Sequence, residues 1–101
     1  MNINFEKLGM PVFTGRSRGV NARAQLRLNE LPDGEQVDVI IPDAVYTITS
    51  SYFLGLFGPS VRHEGSAEKF LTRFRFQAPP HIKEKLDDLV SRALREQQEL
   101  F

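Results

Sequence analysis

The feature that most constrains this chain is the run Val37-Asp38-Val39-Ile40-Ile41, flanked on both sides by segments of helical apolar spacing. A short, almost continuous β-branched run is how a strand covered on both faces reads, and such strands belong to sheets with helical crossovers. We take it as the central strand. Beyond it the chain passes through Pro42-Asp43-Ala44-Val45-Tyr46 into Thr49-Ser50-Ser51, a hydroxyl-rich helix start. Val37 to Gly58 thus forms a strand-loop-helix junction, where hydroxyls and free backbone N–H groups collect and a helix terminus favours negative charge.

The remaining pattern can be laid around this strand. Asn2 to Leu8 alternates Ile3 and Phe5 with polar neighbours and reads as a strand, with Met10 to Phe13 a second short strand closing a hairpin. From Arg16 to Leu31, Val20, Ala24, Leu28 and Leu31 recur at helical spacing, with Ser17 as a cap, and Leu31-Pro32-Asp33-Gly34 ends that helix as a turn. A second helix spans about Ser50 to Arg62 through Phe53, Leu56, Phe57 and Val61, with Gly58-Pro59 as a break or kink within it. Glu68 to Gln77 reads as a strand with Phe70, Phe74 and Phe76 on one face and Leu71, Arg73 and Arg75 on the other. Pro79-Pro80 opens a third helix carrying Ile82, Leu86, Leu89, Val90, Ala93 and Leu94, on which Asp88 and Arg92 can pair. The order predicts an α/β fold: one small domain over residues 1–101, with a mixed sheet of about four strands and three helices.

Length and charge bound the function. At 101 residues, 41% of them apolar, the chain supports one packed core. Thirteen basic and thirteen acidic residues cancel, so no overall field draws nucleic acid or membrane. There is no cysteine, hence no disulfide or thiol chemistry, and cytoplasm is the expected compartment. No apolar run approaches the roughly 18 residues that span a bilayer, and the first residues do not read as a signal peptide.

The Arg16-Ser17-Arg18 helix start, the VDVIIPDAVYTI strand and loop and the TSSYFLGLFG helix together resemble a STAS-like family of unknown function, related to the anti-sigma-factor antagonists. The resemblance runs from about Phe13 to the last helix and rests on loose apolar patterns. It implies a STAS-like fold and a non-enzymatic regulatory module acting through protein contacts. In the antagonists the junction carries Asp-Ser-Ser-Gly, and a kinase of the histidine-kinase-like ATPase class phosphorylates the serine. Position by position, Thr49 stands at the Asp, Ser50 at the phosphorylated serine, Ser51 next to it and Tyr52 at the Gly. The resemblance therefore implies Ser50 and Ser51 as modification candidates. It implies Tyr46, Thr49, Ser50, Tyr52 and Phe53 as a partner-binding surface, and such an ATPase, or a regulator it controls, as partner. The competing reading of Thr49-Ser50-Ser51 is a helix cap, since a hydroxyl before an apolar helical run accepts an otherwise orphan N–H. Asp43 and Tyr46 then read as turn and core-edge residues.

Other constellations carry less. Five basic residues and no acidic one lie between Lys7 and Arg27. Arg16, Arg18 and Arg23 are candidates for binding an anion or nucleic acid, against the alternative of a solvated helix face. Arg73-Phe74-Arg75-Phe76 superficially matches RNA-binding sheets but lacks their glycines. His63 and His81 have no metal-ligand spacing, Ser50 with His63 and Asp43 lacks the nucleophile-elbow pattern, and no phosphate-loop or dinucleotide motif is present. No cofactor, metal or catalytic residue is therefore expected, and oligomeric state stays open.

Overall fold

A computed structural model describes residues 1–8 and 12–99. Strand β1 is Asn2–Asn4, β2 Val12–Phe13, β3 Val37–Ile40, β4 Thr47–Ile48 and β5 Phe74–Gln77. Helix α1 is Arg16–Gln25, α2 Ser50–Glu64, α3 Ala67–Arg73 and α4 Pro80–Glu99, with 3₁₀ turns at Phe5–Leu8 and Leu28–Glu30. The α/β class holds, but the sheet is not mixed. Every pairing among the described residues is parallel, in a three-stranded sheet of order β1-β3-β5 and a separate pair β2-β4. Among the described residues there are four α-helices rather than three.

The N-terminal hairpin is replaced by two strands in different sheets. The Asn4 side-chain oxygen accepts from the Glu6 N–H at 2.9 Å, which turns the chain into the 3₁₀ turn after three strand residues. Met10, expected in the second strand, lies outside the described residues. Helix α1 begins at Arg16 after Gly15, so Ser17 sits inside it and caps nothing. It also ends early. Arg27 takes a left-handed conformation (φ 59°) while its guanidinium grips Glu30 at 2.7 and 2.9 Å, and Leu28 to Glu30 continue as a 3₁₀ turn.

Strand β3 is central, as its composition implies. Val37 and Val39 are fully buried, and their register partners Ile3, Phe74 and Phe76 share that face. The opposite face is open, contrary to a strand covered on both sides: Asn2, Asp38 and Arg75 align there, with an Asp38–Arg75 ion pair at 3.0 Å between exposed side chains. Ile41 is buried with Val37 and Val39 because the alternation carries it to the same face, its N–H donating to the Gln77 carbonyl at 2.8 Å just past the strand.

Glu68 to Arg73 is helical rather than extended. Ser66 accepts from the Lys69 N–H at 3.2 Å and caps α3. Phe70 and Phe74, four apart, stack at 4.7 Å instead of lining a strand face. Helix α2 is buried almost all round, from Tyr52 to Gly58 and again at Ser60 and Val61, because α1 and α4 both pack against it. Pro59 is accommodated inside α2. The long helix α4 starts at Pro79-Pro80 with the Pro79 carbonyl accepting from Ile82 and Lys83, and it buries Ile82, Leu86, Leu89, Val90 and Ala93. Asp88 and Arg92 form no ion pair among the described residues. Glu96, one turn on from Arg92, instead pairs with Arg16 and Arg62.

Candidate functional site

Between β3 and α2 lies more structure than a loop. After Ile40 the chain makes a turn in which the Val45 N–H donates to the Pro42 carbonyl, then forms β4 parallel to β2, and only then enters α2. Thr49 joins the pieces. Its N–H donates to the Phe13 carbonyl (2.9 Å), its carbonyl accepts from Phe53 (3.0 Å) and its hydroxyl oxygen accepts from the Tyr52 N–H (3.3 Å). Thr49 is thus the N-cap, with the extended backbone a cap requires.

The residues expected to form one partner surface separate by burial. Tyr52 and Phe53 are 4% and 1% exposed and belong to the core, Tyr52 against Phe13 (5.3 Å between ring centroids) and Phe53 against Phe57 (5.2 Å). Neither side chain is available to a partner, because the first turn of α2 directs both inward. Burial also raises the Tyr52 hydroxyl above its ordinary pKa. Thr49 and Ser50 are half-buried, and Ser51 is exposed. Tyr46 is 76% exposed, not a core-edge residue.

Tyr46 borders a surface groove with Asp43, Val45, Thr47, His81 and Lys85. His81, at the start of α4, closes the groove through an Nε2 contact to the Val45 carbonyl at 3.1 Å. Val45 and His81 are 36 residues apart, so nothing in the local sequence pattern joins the loop to α4 and only the fold brings them together.

The three basic candidates do not act together. Arg16 is engaged with Glu96 (2.6 Å) across to α4, and this hydrogen bond, opposed by burial and helped by the charges of Arg16, Arg62 and Arg92, holds the Glu96 carboxyl below its usual pKa. Arg18 is exposed and borders a different cavity, beside Asn21 and Tyr52. Arg23 is buried, donating to Asn29 Oδ1 (2.7 Å), the Leu56 carbonyl (2.9 Å) and Ser60 Oγ (2.8 Å). No continuous basic stripe of the kind that follows a nucleic-acid backbone results.

Arg73 and Phe74 are likewise structural. Arg73 donates to the Pro32 and Glu35 carbonyls and to Glu64, and Phe74 is fully buried. Ser50 and His63 stand at opposite ends of α2, on the order of 20 Å apart at 1.5 Å per residue. They cannot form a nucleophile and base. Among the described residues no group of three or more acidic or histidine side chains is placed to hold a metal, and no helix is long and apolar enough to cross a membrane. Comparison with protein families, with curated proteins and with solved structures found no match to this chain.

Proposed function

We propose that this protein is a non-enzymatic interaction module whose contact surface is the Pro42–Tyr46 loop together with the first turn of α2. Tyr46 carries the reading. It is the one exposed aromatic among the described residues, while Phe5, Phe13, Tyr52, Phe53, Phe57, Phe70 and Phe74 are all buried. A rigid ring with a polar tip provides a large contact area for the loss of two rotatable bonds, which is why Tyr anchors protein interfaces. The groove beside it, with Val45 as floor and His81 and Lys85 as polar edge, gives a partner both apolar and hydrogen-bonding contacts.

The likeness to anti-sigma-factor antagonists supplies the class of partner, a histidine-kinase-like ATPase or a regulator it controls. It also supplies the mode of control, phosphorylation at the start of α2. Ser50 matches the modified serine by position; Ser51 is the more accessible hydroxyl. A phosphate on either would bring about −1.5 to −2 charges to a helix N-terminus that tolerates them, so the fold would persist while a docked partner met a new charge.

Affinity capture from the native host, with the bound proteins and the Ser50–Ser51 peptide identified by mass spectrometry, tests the proposal. A partner held by the natural sequence should be lost about tenfold or more on Tyr46→Ala, the scale of an interface hot spot, with the circular dichroism spectrum unchanged. Ser50→Asp or Ser51→Asp should weaken the same complex. Capture that ignores all three substitutions removes this surface from consideration.

A further inference from the structure

Of the basic residues of the first-helix segment, Arg23 is the buried one, and it borders a cavity lined by residues of other elements. A guanidinium has five N–H donors in a fixed fork. In Arg23 three are used, Nε on Asn29 and both Nη1 hydrogens on Leu56 and Ser60, and all three acceptors are neutral. Both remaining donors are on Nη2. No buried side-chain nitrogen or oxygen among the described residues lacks a partner, so Nη2 is not sealed in the core but opens outward. Outward lies a cavity of about 250 Å³ bordered by Arg23, Asn29, Asp33, Ser60, His63 and Arg73.

The electrostatics of this cavity are unbalanced. Arg23 is 8% exposed, and no carboxylate contacts it among the described residues. Burying a cation without a counter-charge is costly. Burial, and then the neighbouring Arg62, pull its pKa down from the usual arginine value. Arg73 differs in having a carboxylate partner: Glu64 matches its charge at 2.7 Å, and further bonds to the Pro32 and Glu35 carbonyls hold it as a fixed wall. Ser60 accepts from Arg23 and keeps its own O–H to donate, and Asn29 keeps its amide N–H groups. At the mouth, His63 Nε2 lies 3.2 Å from Asp33 Oδ1, both side chains being mostly exposed.

We propose that this cavity binds a phosphate group, with Arg23 Nη2 as the anchoring cation, the Ser60 hydroxyl and Asn29 amide as neutral donors and His63 at the mouth. A tetrahedral oxyanion would give the buried guanidinium its missing counter-charge, and it is small enough for the space. The site is independent of the Tyr46 surface and uses none of its residues.

Thermal unfolding and amide NMR shifts at pH 7.5, followed while titrating inorganic phosphate, test it with sodium chloride at matched ionic strength as control. Saturable stabilisation by phosphate and not by chloride, with shifts at Arg23, Asn29 and Ser60, is expected. Asp33→Asn, which removes a competing negative charge at the mouth, should tighten binding about threefold. His63→Glu, which adds one, should weaken it about fivefold or more. Both side chains are surface groups, so neither variant should compromise the fold. Phenyl phosphate separates the sources: binding at least as tight as inorganic phosphate identifies a phosphate ester as the ligand, whereas weaker binding identifies the free anion. Absence of a saturable phosphate effect, or an effect that Asp33→Asn and His63→Glu leave unchanged, overturns the proposal.

Discussion

At Thr49 one side-chain oxygen decides where α2 begins, while the backbone of the same residue ties that helix to β2. Thr49→Ala should therefore lower stability by about 1 kcal/mol, within the range of cap deletions, and Thr49→Ser should restore most of it; urea denaturation of the three proteins measures both. The cap was legible in the sequence because a hydroxyl stood directly before an apolar helical run. Ser66 caps α3 in the same way, but the segment after it read as a strand, since Phe70, Phe74 and Phe76 fit a period of two as readily as the four-residue spacing that puts Phe70 on Phe74. The burial of Tyr52 and Phe53 was hidden for a different reason. Which side of a helix start faces a partner depends on what packs there, and α1 arrives from earlier in the chain to cover it.

At the scale of elements, the contact between α1 and α2 is set by two glycines. A Cβ on Gly19 would collide with the Tyr52 carbonyl oxygen and lie 2.9 Å from the Leu56 nitrogen; one on Gly55 would collide with the Arg16 carbonyl oxygen and lie 3.0 Å from the Val20 nitrogen. These are backbone atoms that cannot step aside, so the helices approach as closely as their main chains permit. Gly55→Ala should cost about 1–3 kcal/mol despite the better helix propensity of alanine, as overpacking does. Gly58→Ala provides the control. Its new methyl would meet only the tip of the Arg62 side chain at 3.0 Å, so that substitution should be neutral or stabilising by up to about 1 kcal/mol when both variants are unfolded in urea. The helices themselves were visible from apolar spacing, but their close crossing was not, because a glycine in a helical segment reads the same whether it faces solvent or another backbone. Further along, α4 is tied to α1 by Glu96 on Arg16. Since this contact holds the folded-state pKa of Glu96 below its ordinary 4.5, its contribution is fully present above that pH and is lost as the pH falls through the folded value. Glu96→Gln should flatten the acid limb of the stability curve below about pH 4.5. The difference should be small, as Glu96 is about one-third exposed (32%).

For the whole molecule, helices between strands favour parallel pairing, yet the sheet expected was mixed, since the first two strands read as a hairpin, and neither the all-parallel pairing nor the division into two sheets was legible. Strand β4 has two residues and no readable period, and only its pairing with β2 distinguishes it from a loop. The one-sided core was equally hidden: Val37-Asp38-Val39-Ile40-Ile41 looks apolar throughout, but its alternation places Val37 and Val39 on the helices and Asp38 beside Arg75 on an open face. That asymmetry has a measurable consequence centred on Phe57. Its ring stands 5.2–6.2 Å from those of Phe53, Phe70, Phe74 and Phe76, so it joins α2, α3 and β5 in one aromatic cluster. Phe57→Ala should cost about 3–5 kcal/mol, a large part of the roughly 5–15 kcal/mol that holds a domain folded. On the open face, exchanging Asp38 and Arg75 together for threonine removes an exposed pair worth at most about 1 kcal/mol and should move the midpoint little. If the two substitutions instead destabilise equally in urea, the sheet is covered on both faces in solution, and a second layer, from another copy or another chain, must lie over Asp38 and Arg75.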